Sequence, residues 1–193
     1  MQRLHLGCGR TILDGWINLD TIAAPRVDVV ADLEQCAATP LPFEADTIDE
    51  FLGSHLLEHI KKPLPMMQEL HRIAKPGAKA VFHLPYGSSD DAFEDPTHTR
   101  YYFLNSFMYF SQPAYWRADY GYRGDWQTES IELKVSKRRY EGKTANEVMR
   151  DVNRLRNVVL EMTAVLSAVK PARPPRRELL TAPPMKLTLV EIA

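Results

Sequence analysis

Two cysteines among 193 residues, Cys8 and Cys36, are too few for a disulfide framework or a four-cysteine zinc site. Nowhere does the chain hold an apolar run approaching the ~18 residues of a membrane span. It lacks internal repeats and low-complexity tracts. A glycine turn is reached by Gly7, which leaves no room for a signal peptide, so a reducing cytoplasmic location is expected. Net charge is also lacking, at −1, but this conceals an asymmetry. Residues 1–133 carry 11 Lys+Arg against 19 Asp+Glu, whereas residues 134–177 carry 12 against 4. An acidic body with a basic late segment predicts that the late segment serves assembly or acceptor docking. What is present, 45% hydrophobic and 25% charged residues, suits a single globular domain over residues 1–193.

Short apolar runs that end on a polar residue read as buried parallel strands. They fall at Leu4–Leu6, Trp16–Asp20, Val27–Asp32, Thr47–Leu52 and Ala78–Leu84. The first two connections are too short for a helical crossover, which predicts trimmed early helices. Helices are expected over Ser54–Ile60 and Leu64–Ala74, the second stopped by Lys75-Pro76-Gly77. Ser130–Tyr140 and Lys186–Ile192 alternate as half-exposed strands. Between them Thr144-Ala-Asn-Glu147 is a capping box. Val148, Val152, Leu155, Val159, Met162, Leu166 and Val169 then recur at heptad spacing. That pattern predicts a long helix over 144–169, able to pair in a homodimer. A Pro-rich connector follows, so residues 143–184 read as an insertion.

The candidate site lies at strand ends, where open α/β sheets bind ligands. Gly7-Cys8-Gly9 follows the first strand directly, and Gly-x-Gly lets a ligand approach the backbone. The third glycine of a dinucleotide fingerprint is absent, Ile12 standing in its place. Asp20 ends the next strand, where a carboxylate can accept ribose hydroxyl protons. Asp32 ends the third, where an acid can meet an adenine amine with Leu33 packed on the ring. Capping of turns is the alternative role for both aspartates.

These residues, with Gly15-Trp16-Ile17-Asn18-Leu19-Asp20, Leu41-Pro42-Phe43, Ser54-His55-Leu56-Leu57-Glu58-His59-Ile60 and Lys75-Pro76-Gly77, resemble the class I S-adenosylmethionine-dependent methyltransferases. The likeness is to the small bacterial type that opens on its first strand, and it covers about residues 3–110. It implies a Rossmann-like α/β fold, here a seven-stranded, mainly parallel sheet with an antiparallel final strand and the long helix between strands six and seven. It also implies S-adenosylmethionine held by Leu6, Gly7, Cys8, Gly9, Asp20, Asp32 and Leu33, with Ser54 and His55 close by. His5 departs from the family's usual acid or amide.

Further motifs bear on the chemistry. His55-Leu-Leu-Glu58-His59 matches an inverted zinc-protease pattern, for which Glu129 or Glu132 could supply a third ligand. The methyltransferase resemblance accounts for the same residues, and no metal is expected. Glu94-Asp95-Pro96-Thr97-His98-Thr99-Arg100-Tyr101 also resembles a stretch found in this family. His98 beside Asp95 is the first candidate for a general base, with His59 and His83 behind it. His83, Tyr86, Arg100 and Tyr101 are candidate acceptor contacts. His83-Leu84-Pro85-Tyr86 lacks the Asn-Pro-Pro of amine methyltransferases, so nucleic acid is not the expected acceptor. The reading is methyl transfer to a hydroxyl of a glycan or small metabolite. The alternatives are a catalytically weak, cofactor-binding dimeric partner, or an RNA methyltransferase using Lys137-Arg138-Arg139 and Arg173–Arg177.

Overall fold

The computed structural model describes residues 1–191 and contains one eight-stranded sheet. Its strands are β1 (Arg3–Leu6), β2 (Ile17–Asp20), β3 (Val29–Val30), β4 (Ile48–Ser54), β5 (Ala74–Leu84), β6 (Trp126–Ser136), β7 (Val159–Ala168) and β8 (Met185–Val190). They lie in the order β3-β2-β1-β4-β5-β7-β6-β8. The first five run parallel, β7 is antiparallel to both β5 and β6, and β8 is parallel to β6 at the edge. The Rossmann-like frame therefore stands, with eight strands rather than seven. The antiparallel strand is not the last in the chain. Ile192, the last residue of the expected final strand, lies outside the described residues.

Helices are few: α1 (Pro63–Ile73), α2 (Asp91–Glu94), α3 (Lys137–Tyr140) and α4 (Ala145–Val152). The first two strand connections are loops, as their length requires. Asn18 ties the first one down, its side chain bonding both the N–H and the C=O of Leu13. Buried His5 sits beside it, Nδ1 being 3.3 Å from Asn18 Oδ1. Helix α1 opens on Pro63, where a missing N–H costs nothing, and buries Met66, Met67, Leu70 and Ile73 against the sheet. Lys75-Pro76-Gly77 does end that helix, but it already belongs to β5. It forms an irregularity in the pairing with β4, and Gly77 takes a φ of +78°.

The long heptad helix is not formed. The capping box is present at Thr144–Glu147, yet α4 stops at Val152, and residues 159–168 form β7 in the middle of the sheet. Two local features account for this. Asn157 adopts a φ of +56°, which a helix cannot absorb. Beyond it the segment is rich in β-branched residues (Val158, Val159, Thr163, Val165, Val169), which favour a pleated surface. Val148 and Val152 are buried in the protein's own core and Leu155 is exposed, so the seam proposed for a homodimer does not exist. The segment Ser54–Ile60 is likewise not an α-helix. β4 runs to Ser54, His55 has φ +49°, and a single 3₁₀ turn spans Leu57–His59.

The basic late segment folds back on the acidic body. Lys170 bonds Asp46, Arg156 bonds Asp90, and Arg173 bonds the fully buried Asp125 through its backbone N–H, Nε and Nη2. The charge asymmetry is in part that of two halves of one domain paired with each other.

Candidate functional site

The carboxyl ends of β1, β2 and β3 meet at a cleft of about 310 Å³ lined by Gly7, Asp20, Asp32, Leu33, Leu56 and His59, among others. That size falls in the range of small-ligand sites. Leu6 is the buried end of β1. Gly7 and Gly9 have φ of +61° and +52°, a backbone that residues with a side chain adopt at a cost. A Cβ on Gly9 would meet nothing within 4 Å, so the loop is open on that side. Cys8 is buried and its N–H donates to Leu19 O at 3.0 Å. Burial, then the charge of Asp20, pushes its thiol pKa up.

Asp20 Oδ2 accepts from Gly9 N–H at 2.8 Å and Oδ1 from Ile22 N–H at 3.0 Å. Each carboxylate oxygen keeps a further lone pair. Asp32 caps the single turn Leu33–Gln35 by accepting from Glu34 N–H, so the turn-capping role is real and coexists with an exposed carboxylate at the cleft. These residues fit an adenosine-bearing ligand: an open glycine loop, two strand-end carboxylates and an apolar Leu33 wall.

A second group sits on the cleft rim. The Leu57–His59 turn carries the segment 95–100 on its back, since Thr99 N–H and Arg100 N–H both donate to Glu58 O. This docking brings His98 to His59, with ring centroids 4.7 Å apart at 70°. Asp95 does not hold His98. Its Oδ2 is 3.8 Å from His98 Nε2, beyond hydrogen-bond reach, and His98 Nδ1 instead contacts Ala92 O at 3.1 Å. Asp95 serves His59 through an intermediary: Thr97 Oγ1 donates to Asp95 Oδ1 at 2.6 Å and faces His59 Nδ1 at 2.9 Å. Bonding to Thr97 holds the Asp95 carboxyl below its usual range. Having given its proton to Asp95, the threonine oxygen can only accept from His59. The Nδ1–H tautomer follows, and Nε2 carries a lone pair.

The remaining candidates are spread. Ser54 and His55 lie at the end of β4, where His55 Nδ1 is 3.3 Å from Glu58 Oε1 and Nε2 is 3.7 Å from Glu161 Oε2. Glu58 foremost, with Glu161, raises the His55 pKa against its burial. His83 is turned away to Thr163 Oγ1 at 2.9 Å, and burial lowers its pKa. Tyr86 is buried against Phe103. Arg100 is committed to the backbone oxygen of Lys61. Tyr101 is exposed and stacked on Phe93, with centroids 4.4 Å apart. A separate aromatic cavity of about 450 Å³ is lined by Tyr109, Tyr115, Trp116 and Tyr120 and shares no lining residue with the cleft. Sequence reasoning missed Thr97 and Glu58 as site residues. Asp95-x-Thr97 is an Asx-turn spelling that could have flagged the first. The inverted zinc pattern dissolves: His55 and His59 do not share a helix, Glu129 bonds Lys79, and Glu132 bonds Thr188.

Residues 4–82 match the family described as a methyltransferase domain. No curated protein matches the chain. Among solved structures it resembles a SAM-dependent methyltransferase from Archaeoglobus fulgidus at 16% identity and TM-score 0.58, with 86% of each chain covered. An S-adenosylmethionine-dependent methyltransferase from Mesorhizobium loti matches at 13% identity and TM-score 0.52, covering 86% of this chain and 90% of that one. The [4+2]-cyclase SpnF shares the fold at 12% identity and TM-score 0.53, covering 87% and 74%. The fold alone therefore does not set the reaction.

Proposed function

We propose that this chain is an S-adenosylmethionine-dependent methyltransferase and that its acceptor is a hydroxyl of a glycan or small metabolite. The observation that carries this reading is the rim of the cleft, where His59 lines the wall with its Nε2 lone pair free and Asp95 behind it through Thr97. Gly7–Gly9 and Asp20 would hold the methionine and ribose moieties, with Asp32 and Leu33 at the adenine. Bound S-adenosylmethionine supplies a methyl group on a cationic sulfur, an electrophile that needs no further activation. The chain's task is then alignment and proton removal. His59 is the group that would take the hydroxyl proton, with His98 packed edge-on against it. Tyr101, stacked on Phe93, offers an exposed ring face to a sugar or other polar ring.

The test is formation of S-adenosylhomocysteine from S-adenosylmethionine over a panel of hydroxylated acceptors, after isothermal titration of both ligands into the purified chain. Binding with turnover on a hydroxyl supports the reading. Turnover only on amines overturns the acceptor class, and failure of both ligands to bind at millimolar concentration overturns the whole reading.

A further inference from the structure

We propose that Glu58, His59 and His98 form a binding site for a divalent first-row transition-metal ion. Among the described residues, one nitrogen of each histidine and one oxygen of Glu58 lie within 4.8 Å of one another. Two imidazoles and a carboxylate are a donor set that suits zinc, cobalt or iron rather than calcium or magnesium.

A second observation points to the same place. The Glu58 side chain is 1% exposed, and neither carboxylate oxygen receives a hydrogen bond of acceptable geometry. A buried carboxylate without donors is an unstable arrangement unless a cation meets it. The two candidates are a protonated His55, at 3.3 Å from Oε1, and a metal ion.

The histidines favour the metal. His59 Nδ1–H is directed to Thr97 and His98 Nδ1 to Ala92 O. A carbonyl can only accept, so His98 also carries its proton on Nδ1 and presents Nε2 as a lone pair. Metal-ligating histidines are oriented in this way, the second nitrogen donating to an oxygen that fixes tautomer and ring. The supporting partners are themselves anchored: Thr97 by Asp95, and the 95–100 segment by the two bonds to Glu58 O. Closing the triad on an ion asks for rotations of about an ångström, since ligands at ~2.1 Å in a tetrahedral site stand roughly 3.4 Å apart. Three protein ligands leave a position open. One of the three, His59, also lines the ligand cleft. The ion and the acceptor proton draw on the same His59 side chain, so the metal-free chain is the state in which His59 acts as the base, and ion binding competes with that role.

The experiment uses the full chain, stripped with a chelator and titrated with Co²⁺ in the absence of other ligands. Visible d–d absorption is recorded, and one-for-one displacement by Zn²⁺ is followed. One equivalent is expected at micromolar affinity or better, weakened by roughly two orders of magnitude in His98→Gln and in Glu58→Gln, with His55→Gln binding at least as tightly as wild type. Circular dichroism establishes folding of each variant. If Glu58→Gln does not fold, the double variant His59→Gln/His98→Gln takes its place. Absence of stoichiometric binding to wild type, or equal binding by the double variant, overturns the proposal. Because the titration needs no S-adenosylmethionine, its failure is distinct from failure of the methyl-transfer reading.

Discussion

Replacing Asp20 separates a ligand-holding carboxylate from one that only ties a turn. In the structure its oxygens accept from Gly9 N–H and Ile22 N–H, with a lone pair left on each. A hydrogen bond to a charged group contributes about 1.5–3 kcal/mol. Two ribose hydroxyls donating to Asp20 would thus contribute about 3–6 kcal/mol, or roughly two to four orders of magnitude in Kd. Asp20→Ala should therefore weaken S-adenosylhomocysteine binding by about 100-fold or more. Asp20→Asn keeps one acceptor oxygen and should fall between it and wild type. Loss of the two internal bonds lowers stability as well, by about 1–2 kcal/mol, so Tm should drop by roughly 2–8 °C in a chain of this size. Isothermal titration with matched thermal melts reads both effects. If Asp20→Ala stays folded and binds within about threefold of wild type, which is ~0.65 kcal/mol, the reasoning fails and Asp20 is a turn residue alone.

Gly7→Ala places a Cβ 2.8 Å from Leu56 Cδ1 at a φ of +61°; a loss of about 1–2 kcal/mol is expected in urea unfolding, together with weaker ligand binding. Arg173→Met leaves Asp125, fully buried, without its cation, and should cost about 3–5 kcal/mol by the same measurement. Burial holds the pKa of His71 below its usual value, so the unfolded chain binds protons there that the folded chain does not. Its contribution is fully present above about pH 6.5 and is lost as pH falls below that value toward the depressed folded pKa. His55, raised by Glu58, acts in the opposite sense: it stabilises below pH ~6.5 and loses this as pH rises through its folded value. Urea melts at pH 7.5 and pH 5.5 should thus show a smaller drop for His71→Gln than for wild type, and a larger one for His55→Gln.

Strands β1, β2, β4, β5 and β6 were legible because each is an apolar or alternating run bounded by a turn residue, although Lys137–Tyr140, expected as the end of the sixth strand, forms α3 and the strand begins earlier, at Trp126. β7 was not. Its apolar residues fall at spacings of three and four, which read as a helix stripe, whereas a strand buried on both faces carries apolar residues without regard to that spacing. A capping box immediately upstream reinforced the helical choice. The β-branched content of 158–169 was the discriminating signal, and pairing with both β5 and β6 decided the outcome. The cleft residues Gly7, Asp20 and Asp32 could be read because each stands at a strand end, a position that sequence reports directly. The rim could not. His59 and His98 come together only through bonds from Thr99 and Arg100 to Glu58 O, and that docking has no local spelling.

The placement of β7 has a consequence for how the protein is made. β6 leaves the ribosome before either of its strand partners, because β5 pairs with β7 and not with β6. Ile131, Leu133 and Val135, all fully buried in the finished sheet, must wait for Ala168 before that pairing is complete. At about 5–20 residues per second the delay from Ser136 is roughly 2–6 s. Throughout it, a half-apolar strand has both edges free. Trp126, whose indole N–H donates to Met67 O on α1, can hold the near end of β6 against the part already folded during that interval.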